Sequence, residues 1–246
     1  MRALKNNSLL ALVGASIAAG SVLTACSSGD GSVAAQGDVA IAYVKRKVET
    51  LGNPTDAIMF APGGDLYMRE RSSVGAKEIC ITCAETNGQG DVSDPEVSYD
   101  ATRLLFTMRK PGDPGWRIRE YDLGTKQMRT INCDAAAPGD DVDPAYLPDG
   151  RIVFVSNRQE TSRQLMAAAG ETSFAYLDEY ERERVTTLHV MNADGSNCRQ
   201  ISFNQSHDRN PTVLQSGEIR YSLGMFGSTP LQRNSAAPLS SAVISW

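Results

Sequence analysis

Histidine is almost missing from this 246-residue chain, where His189 and His207 are the whole supply. Two distant imidazoles and the scattered Cys133 and Cys198 do not have the ligand spacing of a zinc framework. The sequence Cys80-Ile81-Thr82-Cys83 has the thiol spacing of covalent haem attachment, but Ala84 follows where the axial histidine belongs. No c-type haem, and no other cofactor, is expected. Catalytic signatures are missing too: serine, histidine and aspartate all occur, yet no nucleophile elbow or metal-protease helix motif organises them. A basic excess is also lacking, with 24 Lys and Arg against 29 Asp and Glu and a net charge of −5. Phosphate neutralisation needs a basic stripe, so nucleic acid is excluded as a partner.

Long apolar runs are confined to one place. Arg2 and Lys5 precede an uncharged stretch from Leu9 to Ala25 that ends in Leu23-Thr24-Ala25-Cys26. This resembles a bacterial lipoprotein signal with its lipobox. Residues 1–25 are then a leader, and Cys26 becomes the lipidated N-terminus. About 17 residues rich in Gly, Ala and Ser are marginal for spanning a ~30 Å hydrocarbon core, which weighs against a membrane-spanning anchor. More than one acyl chain gives stable membrane attachment. Loss of Arg2 and Lys5 with the leader takes the net charge from −5 to −7. Ser27 stands where an aspartate would mark inner-membrane retention. The expected location is therefore the periplasmic side of a membrane, the outer one favoured. Residues 26–38, rich in Ser, Gly and Ala, read as a flexible tether.

Beyond the tether one phrase recurs. Asp94-Pro95-Glu96-Val97 leads into Arg103-Leu104-Leu105-Phe106, Asp143-Pro144-Ala145-Tyr146 into Arg151-Ile152-Val153-Phe154, and Asn210-Pro211-Thr212-Val213 into Glu218-Ile219-Arg220-Tyr221. Each copy predicts a hairpin whose first strand is entered at the proline. Outer strand pairs follow at Trp116–Asp122 with Gln127–Ile131, and at Thr187–Asn192 with Cys198–Ile201 across the Ala193-Asp194-Gly195 turn. A fainter copy runs from Ile58-Met59-Phe60 through Leu66–Arg69 to a strand at Glu78–Cys83. A repeat of about 50 residues marks units that must stack to bury their apolar faces. The expected fold is all-β: a partial β-propeller of about three four-stranded blades, the last incomplete, over residues 39–222. Residues 223–246 lose the strand pattern and read as an irregular tail, the mark of a truncated or frame-shifted end. An incomplete ring exposes apolar faces, through which copies of the chain are expected to associate.

Two groups of residues carry possible chemistry. Asp91 and Asp94, then Asp140, Asp141 and Asp143, then His207 and Asp208, stand before or at the inner strand of each unit. A propeller would gather them at one channel mouth, able to take a cation or a basic peptide; alternatively each aspartate caps its own turn. Cys80, Cys83, Cys133 and Cys198 leave three readings open: a disulfide within Cys80 and Cys83, pairing of these with Cys133 or Cys198, or buried free thiols. The close pair is possible only if the strand turns before Cys83, since residues three apart on a strand lie about 10 Å apart. An insertion at about 160–184, with Phe174, Tyr176 and Tyr180 among Asp178, Glu179, Glu181 and Glu183, reads as a partner-binding loop or a solvated helical turn.

As a set, Ile41–Arg46, Gly64–Tyr67, Val97–Asp100, Gly139–Pro144, Leu188–Gly195 and Gln200–Asp208 resemble proteins related to the hydrazine synthase alpha subunit. The matched part is similar to that subunit's middle propeller domain, itself like TolB-type propellers. The resemblance implies a propeller scaffold which, in the enzyme, is flanked by parts carrying c-type haem. It does not imply hydrazine synthesis, because one scaffold serves unrelated activities. The expected role is a lipid-anchored binding or assembly module with a protein or peptide partner. The alternative is a subunit or fragment of a redox enzyme with haem supplied elsewhere.

Replacing Cys26 by Ser should abolish acylation and leave the protein released from membranes or unprocessed, as fractionation and mass spectrometry would show. Normal cleavage with normal membrane retention would contradict the lipobox reading.

Overall fold

The computed structural model describes residues 38–47, 60–136, 138–171, 177, 184–204, 206–223 and 240–244. The leader, residues 26–37 of the tether with Cys26, Ile58, Met59 and the aromatic part of the 160–184 insertion lie outside the described residues. Four antiparallel sheets follow one another along the chain. The first contains β1 (Ile41–Lys45), β2 (Asp65–Arg69) and β3 (Glu78–Cys80), with the helix α1 (Cys83–Thr86) after it. The second contains β4 (Asp91–Val97), β5 (Arg103–Arg109), β6 (Arg117–Asp122) and β7 (Met128–Ile131). The third is β8 (Asp141–Tyr146), β9 (Ile152–Ser156), β10 (Thr187–Met191) and β11 (Arg199–Gln200), with the helix α2 (Glu160–Ala168) in the insertion. The fourth is β12 (Asp208–Val213), β13 (Ile219–Leu223) and β14 (Ser240–Ile244).

The all-β propeller expectation holds, and the unit count rises to four sheets, two of them four-stranded and two three-stranded. Three details differ from the sequence reading. The partner of β2 is the upstream strand β1, paired Tyr43 to Tyr67 and Lys45 to Asp65. The third strand stops at Cys80, and Cys83 opens a short helix. The residues expected to form an irregular tail include β14, which pairs with β13 from Ile219–Ile244 to Leu223–Ser240. Its Ser-Ser-Ala-Val-Ile sequence carries little apolar alternation, so periodicity alone does not find it.

Side chains alternate across each strand, and the middle sheets bury both faces. On β5, Leu104, Phe106 and Met108 pack toward Leu66 and Val92, while Leu105 packs with Ile118, Ile152 and Phe154. On β9, Ile152 and Phe154 join that second core, and Val153 and Val155 face Leu188, Val190, Ile219 and Tyr221. Burial on both faces explains why β9 is an unbroken apolar run ending in Ser156, buried throughout.

The recurring proline is not at the strand entry. In β4, β8 and β12 the ladder slips between Ser93 and Glu96, between Val142 and Ala145, and between Arg209 and Thr212. Each slip holds an extra residue in left-handed backbone, Asp94 (φ 53°), Asp143 (φ 49°) or Asn210 (φ 51°), followed by the proline. These are β-bulges. Aspartate and asparagine tolerate that conformation best among residues with a side chain, and proline suits a position that gives no ladder N–H.

Two disulfides form, Cys80–Cys83 with Cα atoms 5.8 Å apart and Cys133–Cys198 at 5.4 Å. The first meets the turn condition, because Ile81 and Thr82 leave the strand before Cys83. The second joins the outer edges of the second and third sheets. Around it, Asp134 accepts the N–H groups of Asn197 and Cys198, both at 2.9 Å. Gly195 there has φ +91°, and a Cβ on it would lie 2.0 Å from the Asn132 carbonyl oxygen, so no other residue fits.

The Cys133–Cys198 bridge spans 65 residues, worth about 4 kcal/mol of loop-closure entropy, whereas the three-residue separation of Cys80 and Cys83 is worth about 2 kcal/mol. Denaturant unfolding of Cys133→Ala/Cys198→Ala should therefore show about twice the loss of Cys80→Ala/Cys83→Ala. Equal losses would contradict this division.

Candidate functional site: the acidic inner strands

Where one sheet meets the next, a backbone N–H needs an acceptor. Three residues ahead of each bulge residue stands a side chain that supplies it. Asp91 accepts the N–H of Ala61 (3.0 Å), Asp140 that of Trp116 (2.8 Å), and His207 Nδ1 that of Thr186 (3.2 Å). Main-chain bonds run alongside: Gly63 to Gly90 (2.8 Å), Asp141 to Trp116 (3.1 Å) and Asp208 to Thr186 (2.9 Å). Asp91, Asp140 and His207 are thus equivalent latches between a sheet and its predecessor.

The other expected site residues divide between closed pairs and one open cluster. Asp91 is fully buried and held by Arg46, whose Nε and Nη2 donate to its two oxygens at 2.8 and 2.6 Å. Asp141 is equally buried and takes Arg158 Nη2 on both oxygens, at 2.6 and 2.5 Å. Burial pushes its carboxyl up against the pull of Arg158. Asp208 accepts from Ser202 Oγ and from Asn204 Nδ2 (2.7 Å), and burial raises it to about 6 despite those bonds. His189 lies apart from the cluster, buried against Phe154, and burial lowers its imidazole to about 3.

Asp94 and Asp143, the bulge residues of neighbouring sheets, come together. Asp143 is 4% exposed, and its Oδ2 accepts Arg209 Nε and the Asn210 N–H, both at 2.9 Å. Its Oδ1 is buried and receives no N–H or hydroxyl donor, leaving only the neighbouring Asp94 carboxyl to share a proton with it. Burial first, and then the charge and hydrogen bonding of Asp143, push the Asp94 carboxyl up to about 7, against weaker opposition from Ser93 and Arg209. Thr107 Oγ1 approaches Asp94 Oδ2 at 3.4 Å. Two carboxyl groups so placed share a proton, or hold a cation, because both cannot ionise uncompensated.

Turn capping does occur, but at other aspartates. Asp100 accepts the Thr102 N–H (3.1 Å), Asp122 that of Thr125 (2.7 Å), Asp149 that of Arg151 (3.1 Å) and Asp194 that of Ser196 (3.0 Å). Sequence reasoning missed Arg209 and Asn210 as members of the open cluster, together with Arg46 and Arg158 as partners. The asparagine was legible, since it repeats the residue-before-proline position of Asp94 and Asp143. Three-ligand groups exist at Asp65, Cys80, Cys83 and at Cys133, Asp134, Cys198, their ligand atoms within 4.8 Å of one another. In both, the sulfurs are joined to each other.

A carboxyl that binds its proton more tightly when folded stabilises fully below its unfolded value of 3.8, and that contribution is lost as pH rises through about 7. Thermal stability should therefore fall between pH 4 and 7, by an amount on the order of a few kcal/mol. Asp94→Asn keeps the left-handed backbone and a donor toward Asp143, so it should flatten most of this fall, leaving a smaller slope from Asp208. An unchanged pH profile in that variant would contradict the assignment.

The sequence matches no family model and no curated protein. Similar folds are found among solved structures. Hydrazine synthase of Kuenenia stuttgartiensis aligns with a TM-score of 0.55 at 13% identity, over 76% of this chain and 28% of that one. TolB of Acinetobacter baumannii aligns at 0.46 and 16%, over 84% and 41%. The β-propeller domain of the trilobed protease of Pyrococcus furiosus aligns at 0.39 and 12%, over 84% and 50%. The chain spans about half or less of each of these structures. The alignment with hydrazine synthase, at a TM-score of 0.55, shows a likeness of fold alone.

Proposed function

We propose that the chain is an exported lipoprotein, held on the periplasmic side of a membrane through Cys26, whose propeller sheets serve as a binding or assembly scaffold. An outer-membrane destination fits Ser27 after the lipid-bearing cysteine. Two disulfides accord with folding in an oxidising compartment. Among the described residues no helix is long and apolar enough to cross a membrane. Attachment in this reading is through the acyl chains on Cys26. The observation that carries the binding role is the Asp143 Oδ1 acceptor, buried with no N–H donor and left to the neighbouring Asp94 carboxyl. Its chemistry suits a divalent cation or the ammonium or guanidinium of a basic peptide segment. A protein or peptide partner is the natural source of that segment. Contact between copies through open sheet edges is the second interaction that the architecture allows.

One observation favours a second reading, a subunit or fragment of a hydrazine-synthase-like redox enzyme: the fold likeness at a TM-score of 0.55. In that case haem comes from another chain or domain, because Cys80 and Cys83 are bonded to each other and Ala84 follows them. A pyridine haemochrome spectrum of the protein isolated with its partners separates the readings.

Calcium, or a lysine-rich peptide, should raise the melting temperature of the mature protein by mass action. Asp94→Asn/Asp143→Asn should lose that rise. No shift with either ligand, or an equal shift in the variant, would overturn the proposed site.

A further inference from the structure

The Cys80–Cys83 bridge differs from its companion in the length of chain it closes and in the hydrogen bonds at its sulfurs. It closes three residues at the edge of the first sheet, where it constrains the unfolded chain far less than the 65-residue Cys133–Cys198 link. Its cysteines, like Cys133 and Cys198, are half-buried, and Ala84 and Glu85 beside them are exposed. A thiol approaching from solvent therefore reaches this bond without unfolding the sheets.

The local chemistry favours opening the bond. The Cys83 N–H donates to Cys80 Sγ at 3.2 Å, and the Tyr67 hydroxyl meets Cys83 Sγ at 3.6 Å. Each sulfur thus has a donor in place for the negative charge that develops when it leaves. Tyr67 is itself fixed: it pairs across the ladder with Tyr43 on one side and Cys80 on the other, and Lys45 Nζ lies 4.3 Å over its ring. Behind the pair, Asp65 accepts the hydroxyls of Thr82 (2.8 Å) and Thr86 (2.7 Å), which holds the turn between the cysteines whether or not they are bonded. Thr82 also accepts the Leu66 N–H at 2.9 Å. These hydrogen bonds do not involve the sulfurs, so opening the disulfide would not remove them.

We propose that Cys80–Cys83 is a thiol–disulfide exchange site that passes two electrons to and from the dithiol of a partner protein. One partner thiolate attacks Cys83 Sγ, a mixed disulfide forms, and the Cys80–Cys83 bond breaks to leave the Cys80 thiolate on the Cys83 N–H. The second partner thiol, losing its proton, attacks the mixed disulfide at the partner's sulfur. The partner leaves oxidised, and Cys80 and Cys83 are left as thiols, having taken up two electrons and two protons. The reverse sequence oxidises Cys80 and Cys83 at the expense of a partner disulfide. This inference is independent of the ligand assigned to Asp94 and Asp143.

The test uses the wild-type mature protein equilibrated in glutathione redox buffers, with free thiols alkylated at each poise and located by mass spectrometry. Cys80 and Cys83 should become alkylated reversibly at poises where Cys133 and Cys198 remain bonded. The melting temperature should fall by about 4–8 °C, the loss expected for so short a loop, with the sheets still folded. A Cys80→Ser variant should accumulate a mixed disulfide with glutathione at Cys83, and the wild type should speed insulin reduction by dithiothreitol several-fold over the Cys80→Ala/Cys83→Ala variant. Opening of both bridges together, only as the protein unfolds, would overturn the proposal and leave the pair a structural staple. Opening of Cys80–Cys83 with no effect on insulin reduction would overturn it as well.

Discussion

A sheet that packs on its neighbours through both faces must still satisfy the backbone N–H groups stranded at the seam, since a buried unpaired donor costs as much as the hydrogen bond it forgoes. This requirement decides what stands at the inner end of each unit. Ala61, Trp116 and Thr186 present such N–H groups, and Asp91, Asp140 and His207 receive them. A carboxylate or an unprotonated imidazole nitrogen is a strong acceptor with a short reach, which explains why acidic residues and one of the two histidines collect there. The apolar cores between sheets then form in the register that these latches set.

Once that role is assigned, most of the buried acid is accounted for locally. Arg46 neutralises Asp91, Arg158 neutralises Asp141, and Asp208 is held by a hydroxyl and an amide. The bulge residues are different. Left-handed backbone ahead of a proline selects Asp or Asn at three equivalent places, and Asp143 is brought beside Asp94 as a consequence. The residue just before the bulge is Ser93 in the second sheet, Val142 in the third and Arg209 in the fourth. Only the last carries a cation, and it compensates Asp143 on one oxygen. The excess negative charge is thus a product of backbone geometry combined with one missing cation. Such a pair costs stability unless it gains a proton or a ligand, which is why the proposed binding role rests on it.

The hairpins were legible because period-2 alternation and turn chemistry act within ten or twenty residues. β4 with β5, β8 with β9, β6 with β7 and β10 with β11 could be read directly, as could the β-branched and aromatic run Ile152–Phe154. β1 could not be assigned to its sheet, since the segment separating it from β2 gives no local signal of which strand it joins. β14 escaped because Ser240 and Ser241 break the apolar pattern that would mark it. The bulges were hidden for another reason: proline in a strand reads as an entry, and only the ladder shows pairing that continues upstream to Asp91, Asp141 and Asp208. Of the candidate site, the residues were visible but their division was not. Whether an aspartate latches a seam, pairs with an arginine or faces another carboxyl depends on contacts from 17 to 67 positions away. Spacing along the chain does not carry that information.

The central claim is that Asp94 and Asp143 form the one compensation-poor carboxyl pair among the described inner-strand acids. Carboxyl carbon NMR titration of the mature protein measures it most directly. The account predicts that Asp94 titrates near pH 7, and that saturating calcium moves its midpoint toward the ordinary carboxylate range. A midpoint for Asp94 at the ordinary aspartate value without calcium would show that the pair is already compensated, and would contradict the account.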